Sequence, residues 1–149
     1  MPTVKLGLMP LWNPEGGPKN VTTHVALIIQ AYHTAAYVQK VTIAGPGIPG
    51  PGSSKTVESD PSKPMGSAFW SEEINMTPHV KQSVPLYFDV TIQYKKDNQW
   101  LEPAVLAVQG TPMGPSCVTA CAFANDSGDD TDYNDTVVTL SLFPYSRDP

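Results

Sequence analysis

Leu86, Phe88, Val90, Ile92 and Tyr94 fall at every second position, with Tyr87, Asp89, Thr91 and Gln93 between them. Successive side chains of an extended strand point to opposite faces, so this run predicts a strand over 84–94 with one face in a core and the other wetter. Val4, Leu6 and Leu8 alternate with Lys5 and Gly7, which predicts a first strand over 3–11. Runs rich in β-branched and aromatic residues predict strands over 21–30 and 37–44, and the pattern resumes over 67–70. Residues 100–109 can return as a partner strand, and 117–124 and 136–143 read as the last two.

The segments between them carry turn chemistry. Residues 13–20, 95–98 and 111–115 are turns, while 31–36 reads as a loop or as part of a long bent hairpin. Residues 45–64 mix Gly, Pro and Ser densely, which reads as a long surface loop, with a mobile lid over a site as the sharper alternative. About eight strands with no internal repeat and no linker make one domain over 1–149. The expected fold is all-β, a two-layer antiparallel β-sandwich, since such strands must close on each other to bury their apolar faces.

Composition supports this class. The 16 prolines and 11 glycines in 149 residues are too many for a helical bundle. Net charge is −5, and five of the 14 acidic side chains fall at 126, 129, 130, 132 and 135. With no basic stripe, the chain is not expected to bind nucleic acid, whose backbone is held mainly by cations. No apolar run reaches the length of a membrane span, and no apolar segment follows a basic start as in a signal peptide. The expected location is therefore cytoplasmic, or outside the cell after release without a classical signal peptide. Cys117 and Cys121 lie four apart, roughly 13 Å along a strand, too far for a disulfide without a sharp turn. They read as two buried thiols on one face, in keeping with a reducing compartment. Asn20, Asn75 and Asn134 begin sequons, but a sugar on Asn134 would collide with the acidic segment.

That segment, Asn125-Asp-Ser-Gly-Asp-Asp-Thr-Asp-Tyr-Asn-Asp135, is the chemically distinctive part of the chain. Calcium takes six to eight hard oxygen ligands, and here five carboxylates and two asparagine carbonyls lie within eleven residues. Asp130, Asp132 and Asn134 are spaced by two, Asp135 follows, and Gly128 lets the backbone curl. Without a cation, five carboxylates so close would repel, so metal binding should couple to the order of the loop. The spacing is not that of an EF-hand. A solvated acidic turn is the bland alternative, but a plain hairpin needs only two to five residues.

Together with Val137-Val-Thr-Leu-Ser-Leu-Phe-Pro144, the acidic loop resembles the calcium-dependent soluble bacterial lectins that bind fucose and mannose. The likeness is strongest over 126–144, extends weakly through 84–124, and fades before that. It implies a β-sandwich holding two adjacent calcium ions that bind sugar hydroxyls directly. Asp126 and Asp130 fall where the family has ligands of the outer ion, Asp132 and Asp135 where carboxylates bridge both, and Asn134 where an amide binds the inner one. Ser127 stands where the family carries an acidic residue that grips a sugar hydroxyl, and Tyr32 and His33 fall near its specificity loop. The family ends in a glycine whose carboxylate reaches a neighbouring subunit's site, whereas this chain continues through 145–149.

The other candidates are ordinary by comparison. His24 reads as a half-buried strand residue, His79 follows Pro78 in a turn, and His33 stands beside Tyr32. Trp12, Trp70 and Trp100 would stack on sugar if exposed and otherwise pack in the fold. No nucleophile elbow, phosphate loop or zinc-protease spacing is present. Three functions remain. The leading one is calcium-mediated carbohydrate binding, with a glycan or monosaccharide partner and a homodimer or larger assembly providing avidity. A second is a calcium-dependent enzyme acting on a small non-sugar substrate, with His33, Tyr32 or a nearby acid carrying protons. A third is a module in which calcium is only structural.

Overall fold

The computed structural model describes residues 3–10, 12, 22–34, 37–64, 66–114, 116–125 and 135–147. Ten strands run through them: β1 (Thr3–Leu8), β2 (Thr22–His33), β3 (Val38–Ala44), β4 (Ser54–Glu58), β5 (Ala68–Asn75), β6 (Leu86–Lys96), β7 (Gln99–Leu101), β8 (Ala104–Pro112), β9 (Val118–Asn125) and β10 (Thr136–Arg147). One sheet has the order β1-β6-β3-β4, with β7 also pairing with β6; the other has the order β5-β2-β10-β9-β8. Every pairing is antiparallel. The expected antiparallel β-sandwich is the fold.

The core lies between the sheets where the period-two residues meet. Phe88, Val90 and Ile92 of β6 and Val41 and Ile43 of β3 are fully buried and face Leu27, Ile29, Leu140 and Leu142 from the other layer. In β9 the inward positions are the small Ala120, Ala122 and Ala124, beside the larger side chains of β10. Pro144 sits in β10 beyond Leu142, where pairing with β9 has ended and only β2 remains alongside. Strand proline is tolerated at such an edge because its missing N–H leaves no ladder bond broken.

Several sequence boundaries move. β2 does not stop at 30 but continues through Ala31, Tyr32 and His33, which pair with Val138, Val137 and Thr136. The expected long loop over 45–64 holds β4, an edge strand paired with β3 from Lys40–Glu58 to Ala44–Ser54. Its Gly residues, with Pro46, Pro49 and Pro51, fall in the tight connection before β4, where Gly47, Gly50 and Gly52 all have positive φ, while Pro61 and Pro64 follow the strand. The expected strand over 100–109 is split. Asp97 and Asn98, both at positive φ, close a two-residue hairpin into β7; Glu102 and Pro103 then carry the chain into β8 of the opposite sheet. Cys117 and Cys121 are free and half-buried on the outward side of the sheet, opposite the inward alanines, not buried in the core.

Two devices join the layers at their rims. At one rim the Gln109 side chain pairs with the edge of β1, accepting from Gly7 N–H at 2.8 Å and donating to the Lys5 carbonyl at 2.9 Å. Glycine follows at 110 because a Cβ there would run into the Gly7 carbonyl oxygen. At the other rim Lys55 of β4 donates to Glu72 of β5 at 2.7 Å, and Trp70 Nε1 donates to the same carboxylate oxygen at 3.0 Å. The Lys55 ammonium holds the Glu72 carboxyl below the usual glutamate range.

Candidate functional site

Six polar residues are buried among those described: His33, Gln39, Ser59, Asn125, Asp135 and Thr136. All lie at one end of the sandwich, where β2 and β9 finish and β10 begins. Buried polar groups are expensive unless hydrogen-bonded, so their concentration at one end marks a built feature. Thr136 Oγ1 donates to Gln39 Oε1 at 2.6 Å, bridging the two sheets. Gln39 Nε2 donates to the Tyr37 carbonyl at 3.0 Å, and the Gln39 backbone N–H donates to Ser59 Oγ at 2.8 Å. The Ser59 N–H in turn donates to the Gln39 carbonyl at 2.8 Å.

This network adjoins the two described residues that bracket the acidic segment. Asn125 closes β9 and is 4% exposed; Asp135 directly precedes β10 and is 9% exposed. Asp135 is fixed by its backbone between two strands, accepting from Thr34 N–H at 3.1 Å and donating to the Ala124 carbonyl at 3.0 Å. Asp126, Ser127, Asp130, Asp132 and Asn134 lie outside the described residues. Of the expected metal and sugar ligands the structure therefore places Asp135, Tyr32 and His33. No group of three or more metal-ligating side chains occurs among the described residues.

Tyr32 and His33 do not share a pocket. As neighbours in a strand they point to opposite faces: His33 is 4% exposed on the core side, and Tyr32 is half-buried on the outer side beside Val137. The His33 ring meets Phe69 edge-on, with centroids 5.7 Å apart, and neither ring nitrogen finds a hydrogen-bond partner among the described residues. Nearby, in the β4–β5 connection, Asp60 accepts from both the hydroxyl and the N–H of Ser62, at 2.7 and 2.9 Å. The hydroxyl bond chiefly holds its carboxyl below the usual aspartate range. His24 is half-buried as expected and stacks on Tyr145 at 5.2 Å. Trp70 is core, and the Trp100 indole carries the Lys40 ammonium over its ring at 4.0 Å.

Gln39, Ser59 and Thr136 were not among the site candidates. The signal for Gln39 was available, because it shares parity with the core residues Val41 and Ile43 and so puts an amide where an aliphatic side chain belongs. Ser59 had no such signal, since its role depends on the β3–β4 register.

No family model and no curated protein matches the chain. Its fold is that of the bacterial lectin sandwich, a likeness carried by solved structures. It is similar to the Chromobacterium violaceum lectin CV2L, solved in complex with α-methyl-fucoside, at 16% identity and a TM-score of 0.52 over 84% of this chain and 96% of that one. It is equally similar to the Ralstonia solanacearum high-affinity mannose-binding lectin, at 17% identity and a TM-score of 0.51 over the same shares.

Proposed function

We propose that the protein binds carbohydrate through calcium held by the segment 125–135. The observation that carries this reading is the placement of Asn125 and Asp135. These buried oxygen donors stand at the two ends of a segment with four further aspartates, on a sandwich shared with fucoside- and mannose-binding lectins. Carboxylate and amide oxygens are the hard donors that calcium prefers. The donor set fits the ion: Asp126, Asp130, Asp132, Asn134 and Asp135 would hold it, and the number of carboxylates suits two ions. Bound calcium would supply exchangeable coordination positions for two vicinal sugar hydroxyls.

The protein's own part is preorganisation. The Gln39–Thr136 bond and the backbone bonds of Asp135 fix where the segment leaves and rejoins the sheet, so less order has to be gained when the cation binds. Tyr32 and His33 face opposite sides of β2, so the two do not act together on one ligand.

Calorimetric titration with L-fucose, D-mannose and D-galactose, with calcium and after chelation, tests the proposal. Heat with one sugar that disappears on chelation is the expected result. No heat with any sugar, while calcium still raises the melting temperature, would overturn carbohydrate recognition and leave a structural ion.

A further inference from the structure

The chain carries 9 Lys and Arg against 14 acidic residues, and Lys40, Lys95 and Lys96 gather at one corner. Gln39 and Val41 of β3 face the core, so Lys40 between them faces out. Lys95 of β6 shares the outward parity of Gln93, and its rung partner Trp100 of β7 lies on the same face. The Lys40 ammonium stands 4.0 Å and the Lys95 ammonium 5.7 Å from the centroid of the Trp100 ring. Lys96 turns to the other side of β6, its ammonium 5.8 Å from the Tyr37 ring. Glu58 is opposite Lys40 in the β3–β4 ladder and Asp97 follows Lys96. Even so, the ion pairs among the described residues join Lys5 to Asp89 and Lys55 to Glu72, and none takes up these three lysines. Ammonium contacts with an exposed ring are weak, and like charges on one sheet face disfavour the fold, so stability does not account for the gathering.

The corner stands at the polar end of the sandwich. Val38 and Gln39 pair with Lys95 and Tyr94, and the Gln39 side chain accepts from Thr136, the residue after Asp135. The basic corner lies on the outer side of one sheet and Asp135 belongs to the other, with the layers about 10 Å apart.

We propose that Lys40, Lys95 and Trp100 form a binding subsite for an acidic sugar, a pyranose bearing a carboxylate, with Lys96 extending the positive charge around the corner. The indole supplies a flat apolar surface for the C–H side of the pyranose. The ammonium groups supply charge-assisted hydrogen bonds to the carboxylate. Their four-carbon stems are flexible, so both can leave the ring face for its rim as the sugar arrives. A bare anion would have no use for the indole, and a long polyanion such as nucleic acid would be opposed by the net charge of −5. The inference takes its ligand class from the carbohydrate reading but does not need calcium. Where calcium holds one residue of a glycan, an acidic residue further along the same chain reaches the corner as a second contact and gains from effective concentration.

Calorimetric titration of the full chain with trigalacturonate and with its neutral methyl ester tests this. The protein is stripped of calcium and the chelator dialysed away, because uronates bind calcium themselves and a chelator is an anion. Physiological salt screens charges beyond about 8 Å. The acid should bind and the ester should bind about tenfold more weakly or not at all, since only the acid offers the ammonium groups a charged acceptor. The double variant Lys40→Gln/Lys95→Gln should lose about as much affinity for the acid, while Lys40→Arg/Lys95→Arg, which keeps both charges, should retain most of it. Lys81→Gln, at an exposed lysine before β6, should bind like the wild type. Circular dichroism of every variant should match the wild type. An acid that gives no heat, an ester that binds as tightly as the acid, a Gln double variant with undiminished affinity, a Lys81→Gln loss as large as that of the double, or inorganic sulfate binding as tightly as the trisaccharide would each overturn the proposal. The neutral-sugar titrations with calcium decide the calcium reading separately, so either reading can fail while the other stands.

Discussion

Replacing Thr136 with valine removes one hydroxyl from the buried network and little else. Thr136 and Gln39 are both fully buried, and the hydroxyl donates to the amide oxygen at 2.6 Å across the interface between the sheets. Valine keeps the shape, so no cavity is expected, but it withdraws a donor from a buried acceptor that water cannot easily reach. Such a loss costs roughly 1–3 kcal/mol, more than the modest gain from a methyl in place of a hydroxyl. In a domain of this size, about 2–4 °C of melting temperature accompanies each kcal/mol. The variant should therefore melt several degrees below the wild type. Urea denaturation should show a lower midpoint with an unchanged slope, because the surface exposed on unfolding is the same. Combining Thr136→Val with Gln39→Leu should cost less than the sum of the two, since removing both polar partners leaves fewer orphaned groups. A Thr136→Val midpoint indistinguishable from the wild type, or a strictly additive pair, would refute the idea that this bond ties the two sheets together.

Other perturbations probe the remaining links. Asp135→Asn should reduce the rise in melting temperature on calcium addition while leaving the chelated protein folded; differential scanning calorimetry with and without chelator reads both effects. Gly110→Ala should destabilise by about 1–3 kcal/mol in urea titrations, because its Cβ would push against the Gly7 backbone where the two sheets meet. The folded-state pKa of Glu72 is lowered by its bond to Lys55, so its contribution is fully present above the unfolded value. That contribution is lost as pH falls through the lower folded value. The stability difference between wild type and Glu72→Gln should accordingly be largest at neutral pH, about 1 kcal/mol or less for so exposed a pair, and should vanish in acid. Denaturation midpoints measured across that range check the sign.

Local physics settled much of this protein at the level of sequence. The alternation in Leu86, Phe88, Val90 and Ile92 fixed which face of β6 is buried, because side-chain direction in a strand has period two wherever the strand is placed. The abundance of proline and glycine excluded long helices, and the oxygen donors between Asn125 and Asp135 pointed to a hard cation through composition alone. Pairing partners and boundaries needed the tertiary structure. Residues 54–58 form a strand because β3 offers them a ladder, an influence that outweighs the turn-like Gly, Pro and Ser around them. The stretch over 100–109 alternates plausibly as one strand, yet Glu102 and Pro103 pass it from one sheet to the other, a change of layer that periodicity does not register. Cys121 faces outward because its register with Thr139 places Ala120 and Ala122 inside, and a thiol is compatible with either side. The polar end is decided the same way. Gln39, Ser59 and Thr136 lie far apart in the chain and become one hydrogen-bonded unit only when the two sheets close, since buried polar groups must find partners wherever the fold provides them.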